Sequence, residues 1–444
     1  IVIDGNVSKI VLHSDVAGQD FNGVTFPNGV AVDADADGDG ETDDPIGILT
    51  TGSGRGDAGV IISYGMVNAD TVIGGSLTKL VATRAGAGVG GDLVVEDDLG
   101  YLLLGANDLN ESVTSQQGGI TLIKTTGAIN APVTAANGQI LKVIALGGTG
   151  VNGDITAGDG MYLFMALDDV AGDFDVDGDF VKFILKNGDF SGRLDIDNGD
   201  LTVLKLVNGS IAGDGSPNAA IDVGGDATKI IVIGTSEATD AIADDVDIEG
   251  TLGFFMLQRG EFDGDLQAGD MGRIYYYTTN GVTDDVVSEM DLTILKSLGP
   301  ISGDVDVERH AHCIYALGGV LGGGDIVVGG LLAGSGATKI LVVGNLLGEV
   351  DIVGGLDRCI VKGNVNGGEV TVDGLLELFL VTGNFTSSDI AADELARVLV
   401  KGTVRGLGEL HAITGDFDFL AGRDRYLIDD PTGETIDNIH AYVC

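Results

Sequence analysis

Residues 33–44 read DADADGDGETDD, and seven of the twelve carry carboxylates; Asp33, Asp35, Asp37, Asp39, Glu41 and Asp44 are the candidate ligands. Counting Asp33 as one, acidic side chains fall at positions 1, 3, 5, 9 and 12, glycine stands at six, and Asp39 at seven offers its main-chain oxygen. Hard oxygen donors at that spacing wrap a calcium ion, with the glycine making the sharp turn. So many carboxylates in a short run repel one another unless a cation lies between them. A solvated acidic loop is the competing reading; the spacing favours calcium.

This loop resembles the calcium loops of dockerins and thrombospondin-type repeats, which share the DxDxDG core. The resemblance is confined to these twelve residues. Asp44 stands where the full motif has glutamate, and a shorter carboxylate is the poorer bidentate ligand. A second acidic run, DFDVDGDF from Asp173, reads differently. Phe174 and Val176 alternate with aspartates as on a strand, and Asp175 and Asp177 precede Asp195 and Asp197 by twenty residues. Stacked strands would set these like charges about 4.8 Å apart, at about 0.9 kcal/mol per pair in bulk water. Cations could bridge them, but a solvated outer face accounts for them as well.

Other chemistry-bearing residues are sparse. His310 and His312 in ERHAHC point the same way on a strand, yet with no clear third ligand they read as a surface strand. Cys359 in RCIVKG reads as a small buried hydrophobe, whereas Cys444, the last residue, could cross-link copies in an oxidising setting. Arg and Tyr gather in MGRIYYYTT (Arg273, Tyr275, Tyr276, Tyr277) and GRDRYL (Arg423, Arg425, Tyr426), where a ligand would be sought. RGD at residues 55–57 is common by chance, and the Gly pairs lack the Lys-Ser/Thr of a phosphate loop.

The elements that must hold these residues are set by a repeat. The pairs TVDG…LFLVTGN and DIVGG…CIVKGN each give a short alternating strand, a polar corner, a second apolar strand and a closing Gly. Closing glycines at 127, 147, 188 and 209, and at 344, 363, 383 and 402, recur near every twenty residues, with 147 to 188 spanning two periods. Alternation of period two, scarce Pro and abundant Gly and Asp predict stacked short strands with Gly, Asn or Asp corners at positive φ. The predicted fold class is all-β: one long parallel β-helix over 1–444, about twenty residues per turn, with loop insertions. Residues 19–51 form an expected insertion carrying the calcium-like motif. Ile1 and the tail NIHAYVC both read as mid-turn, so copies stacking head to tail, or a longer chain, are expected.

Composition narrows function. Acidic residues number 68 against 23 basic, a formal charge of −45, which disfavours nucleic acid and anionic lipid as partners. No apolar stretch is long enough to span a bilayer, so membrane insertion is not expected. In repeat style the chain resembles β-helical proteins of microbial cell surfaces: adhesins, autotransporter passengers and surface fibres. That resemblance implies a non-enzymatic, extracellular or cell-surface structural protein: a calcium-stabilised rod assembling as a homo-oligomer or head-to-tail polymer. An adhesin stalk, or a β-helix that binds or cleaves surface polysaccharide, is the alternative. No catalytic residue is assigned.

Overall fold

The computed structural model describes the backbone except residues 1, 13–18, 21–44, 52–55, 68–69, 85–87, 148–149, 214–218, 237–239, 330–334, 406–409, 415–417, 422–439 and 444. Two units, Ile1–Asp226 and Ala227–Cys444, are each a parallel β-solenoid. No helix occurs among the described residues.

In Ile1–Asp226 one plan repeats. A three-residue strand such as Val133–Ala135 buries its first and third side chains and turns the middle one outward. A corner follows, then a longer strand such as Ile140–Ala145, whose first, fourth and sixth residues are buried. A third, minimal wall is a single bridging residue per turn: Leu109, Ile129, Val151, Val170, Phe190 and Ile211 pair in succession. Three walls thus enclose one core. Register confirms the period, since Leu99, Ile120, Ile140, Met161, Phe180 and Leu201 pair in series, 19 to 21 residues apart. Each buried Val, Ile or Leu contributes about 1.5–3 kcal/mol by leaving water, so the repeated inward positions carry the fold. Phe164, Phe174, Phe183 and Phe190 pack in the core, with ring centroids 4.7 Å apart for Phe164–Phe174 and 5.2 Å for Phe183–Phe190. Near the start, Gln19–Asp20 pairs antiparallel with Pro45–Thr51, which itself lies parallel to Val2–Asp4 and Asp70–Ile73.

In Ala227–Cys444 the plan persists, but some corners straighten. Val246–Gln258, Leu266–Tyr277 and Glu369–Val381 each run through the corner as one strand. Leu266–Tyr277 pairs with both Val286–Ser288 and Asp291–Ser297, so a straight turn stacks on a bent one.

The closing glycines are present for a reason other than the expected one. Of the eight, only Gly344 has positive φ. The others face the turn before them: a Cβ added to Gly363 would lie 1.7 Å from the Gly344 oxygen, and one on Gly402 would lie 2.1 Å from the Gly383 oxygen. Close stacking of corners, rather than backbone handedness, selects glycine there.

Candidate functional site

The corners hold most of the chemistry. Many set an Asp or Asn just before a strand or bridging residue, where its Oδ1 accepts the N–H of the matching residue one turn on. Before the three-residue strands of Ile1–Asp226, Asp154 accepts from Asp173 (3.0 Å) and Asp173 accepts from Arg193 (2.8 Å). Before the longer strands, Asp179 accepts from Asp200 (3.1 Å) and Asp200 from Asp226 (2.8 Å). Before the bridging residues, Asp169 accepts from Asp189 (2.9 Å) and Asp189 from Ser210 (2.7 Å). In Ala227–Cys444 one column runs unbroken from Asp245 through Asp265, Asp285, Asp304 and Asp325 to Glu349, at 2.8 to 3.2 Å. Another is built of amides, with Asn345, Asn364 and Asn384 accepting from Asn364, Asn384 and Thr403.

These bonds explain the aspartates physically. A corner N–H has left the strand ladder and needs an acceptor, and an ionised carboxylate is a strong one. The cost is a file of like charges. Burial pushes the Asp265 carboxyl above its ordinary range; the N–H of Asp285 pulls it back, and the Asp245 and Asp285 charges push it up again. Asp284, Asp306 and Asp351 are raised as well, first by burial and then by neighbouring carboxylates, Glu308 foremost at Asp306.

On the three-residue wall, Asp175 and Asp195 stack in register as the sequence spacing indicates, and Asp222, 27 residues on, continues the file. The cation among them is a guanidinium: Arg193, in the corner column at a rung that follows Asp154 and Asp173, reaches Asp195 at 2.9 Å and Asp222 at 3.0 Å. Burial nevertheless keeps the Asp195 carboxyl raised; Arg193 lowers it, and Asp197, Asp222 and Asp175 raise it.

The residues singled out from sequence are dispersed. Asp33, Asp35, Asp37, Asp39, Glu41 and Asp44 lie outside the described residues, as do Arg423, Arg425, Tyr426 and Cys444. His310–Ala316 is a strand with His312 exposed and His310 half-buried, its Nε2 3.4 Å from the Thr338 hydroxyl. Cys359 is fully buried, and burial pushes its thiol up to about 12. In the Tyr-rich strand, Tyr276 lies in the core, while Tyr275 and Tyr277 face outward with ring centroids 5.6 Å apart. Among the described residues, no three His, Cys, Asp or Glu side chains are grouped to hold a metal ion. A shallow depression of about 420 Å³ is lined by Gln139, Asp159, Tyr162 and Asp179 among others.

Sequence reading missed one surface. The nine longer strands of Ile1–Asp226, from Val7–Leu12 to Leu201–Val207, contain no Asp or Glu, yet hold seven of the chain's twelve lysines. The signal, lysine at the third or fifth position of an apolar strand, emerges only once the turns are stacked. No family model matches the chain, and no curated protein or solved structure matches it significantly.

Proposed function

We propose that this protein is a non-enzymatic structural component of a cell exterior: a stiff solenoidal scaffold that calcium stabilises and that joins end to end with further copies. The observation that carries the reading is how the carboxylates and amides of the corners are used. They bond to the backbone one turn on, so the side chains with most chemical potential act as fasteners between turns. Such a stack resists local opening because each rung is held by strand pairing, core burial and a corner bond together. Calcium binding by residues 33–44 rests on their spacing alone.

Polysaccharide binding is the second reading, favoured by the depression where exposed Tyr162 lies beside Asp159 and Asp179. An aromatic face with flanking carboxylates suits a sugar ring and its hydroxyls. Negative-stain electron microscopy in calcium and in chelator tests the first reading. Uniform filaments in calcium that shorten in chelator are expected. Single short particles under both conditions would remove end-to-end assembly and turn attention to glycan screening.

A further inference from the structure

The acid-free wall of Ile1–Asp226 is an exposed surface of unusual character for this chain. Lys9, Lys124, Lys142, Lys182 and Lys205 project from it exposed, with Lys79 half-buried. Between them lie half-buried apolar side chains, among them Leu122, Ile144, Leu163 and Ile184. In register the lysines fall in two columns and never on successive turns of one: Lys142 sits between Leu122 and Leu163, and Lys182 between Leu163 and Val203, while Lys124 and Lys205 lie in the neighbouring column. Each cation is thus framed by apolar neighbours. The homologous wall of Ala227–Cys444 differs, since Asp291, Asp357 and Glu377 lie on its strands.

A surface that is apolar, cationic and free of carboxylates calls for a partner presenting carboxylates among small side chains. The three-residue wall of the same unit has that pattern. Its outward residues run Thr114, Thr134, Thr156, Asp175, Asp195 and Asp222, with corner aspartates 154 and 173 on one border and 179 and 200 in the corner it shares with the lysine wall. We propose that the lysine wall is a docking surface for a second copy of this chain, which seats its aspartate-bearing three-residue wall upon it.

Three arguments select that occupant. First, the charges are complementary, whereas the same wall facing itself would oppose lysines with lysines and offer no carboxylate. Second, both walls belong to one solenoid and share its axial repeat of about 4.8 Å, so the stacked Asp175, Asp195 and Asp222 can face lysines of neighbouring turns together when two copies lie alongside. An unrelated polyanion has no such matching period, yet meets the same long-range repulsion from a chain of charge −45. That repulsion is screened beyond about 8 Å at physiological salt, while contacting pairs are not. Third, nine strands at about 4.8 Å, each about 20 Å long, span roughly 800 Å², and the three-residue wall, about 10 Å across, covers about half of that, the scale of a weak, reversible contact. Because donor and acceptor walls are different surfaces, the contact is heterologous and leaves a free wall on each copy. It builds an open lateral array rather than a closed dimer. The inference goes beyond the structural role proposed above and does not depend on end-to-end joining.

The test is sedimentation velocity on the full chain over a concentration series at physiological ionic strength, with electron microscopy alongside. Wild type should associate. Lys142→Glu/Lys182→Glu should weaken association on the order of tenfold or more, two contacts having been turned from attractive to repulsive. Asp175→Lys/Asp222→Lys should do the same, and an equimolar mixture of the two variants should associate again. Lys142→Arg/Lys182→Arg should behave as wild type, and matching melting curves would show that all variants fold. End-to-end growth lengthens particles in micrographs, whereas lateral docking widens them, so failure of one is not failure of the other. The proposal is overturned if wild type never widens or if the lysine-reversed variant widens as wild type does. It is equally overturned if the mixture of reversed variants stays apart.

Discussion

Individual residues reveal where the stack is tight and where it is strained. Tyr276 is fully buried, its hydroxyl has no hydrogen-bond partner among the described residues, and burial pushes its ionisation well above the ordinary tyrosine range. An unpaired buried hydroxyl costs free energy, so Tyr276→Phe should leave stability unchanged or raise it by up to about 1 kcal/mol. Chemical denaturation measures this; a clear loss would mean that the hydroxyl is bonded after all. Gly363→Ala should do the opposite. Its Cβ would strike the Gly344 backbone, and relieving that contact should cost about 3 kcal/mol. Gly355→Ala is the control, because its Cβ would sit 3.6 Å from the nearest atom and φ there is not positive. Equal effects at both positions would sink the stacking account. Glycine period and cysteine burial were legible in the sequence because both follow from local pattern. The cause of the glycine period was not, since close contact between turns involves residues nineteen or twenty apart.

At the scale of the element, the aspartate columns set how stability responds to pH. Asp195, Asp265, Asp284, Asp306 and Asp351 all have carboxyls raised above their ordinary range, chiefly by burial. A raised folded-state value means the native state holds the proton more tightly than the unfolded chain. The stabilisation it supplies is complete below the unfolded-state value and is lost as pH rises through the folded one. Asp291 runs the other way: its bond to Arg309 lowers it, so its contribution is lost on acidification. With five groups against one among the described residues, thermal midpoints should rise as pH falls through the carboxylate range to the ordinary aspartate value, then slip back at stronger acid as Asp291 takes up its proton. Asp265→Asn should raise the midpoint at pH 7 and flatten that slope, because an amide keeps the acceptor and removes the charge. A steeper slope in the variant would refute the column account. Strand alternation, period and corner residues were readable in the sequence. The straightened corners of Val246–Gln258 and Glu369–Val381 were not, since DIEGTLG and TVDGLLE look like ordinary corners until the strand runs through them. The lysine wall escaped for a related reason: a lysine in an apolar strand looks unremarkable until nine strands stack.

For the whole molecule, charge −45 makes salt a structural variable, and length scales separate its effects. At physiological ionic strength the screening length is about 8 Å, enough to uncouple walls but longer than the 4.8 Å or so between rungs. Neighbouring rungs are effectively screened only near 1 M, where that length falls to about 3 Å. The melting temperature should therefore continue to rise from physiological salt to about 1 M sodium chloride, instead of levelling once distant charges are screened. Replacing Asp265 and Asp285 together by Asn should reduce that rise. Calcium should act differently: a dedicated loop saturates, adding stability in proportion to the logarithm of free ion above its dissociation constant. Asp35→Ala/Asp37→Ala should abolish the calcium increment while leaving the sodium chloride slope intact. Identical calcium responses in wild type and variant would assign the ion to the columns and remove the loop as its site. A calcium effect that vanishes in the variant would place the ion at residues 33–44 and leave the columns to screening alone.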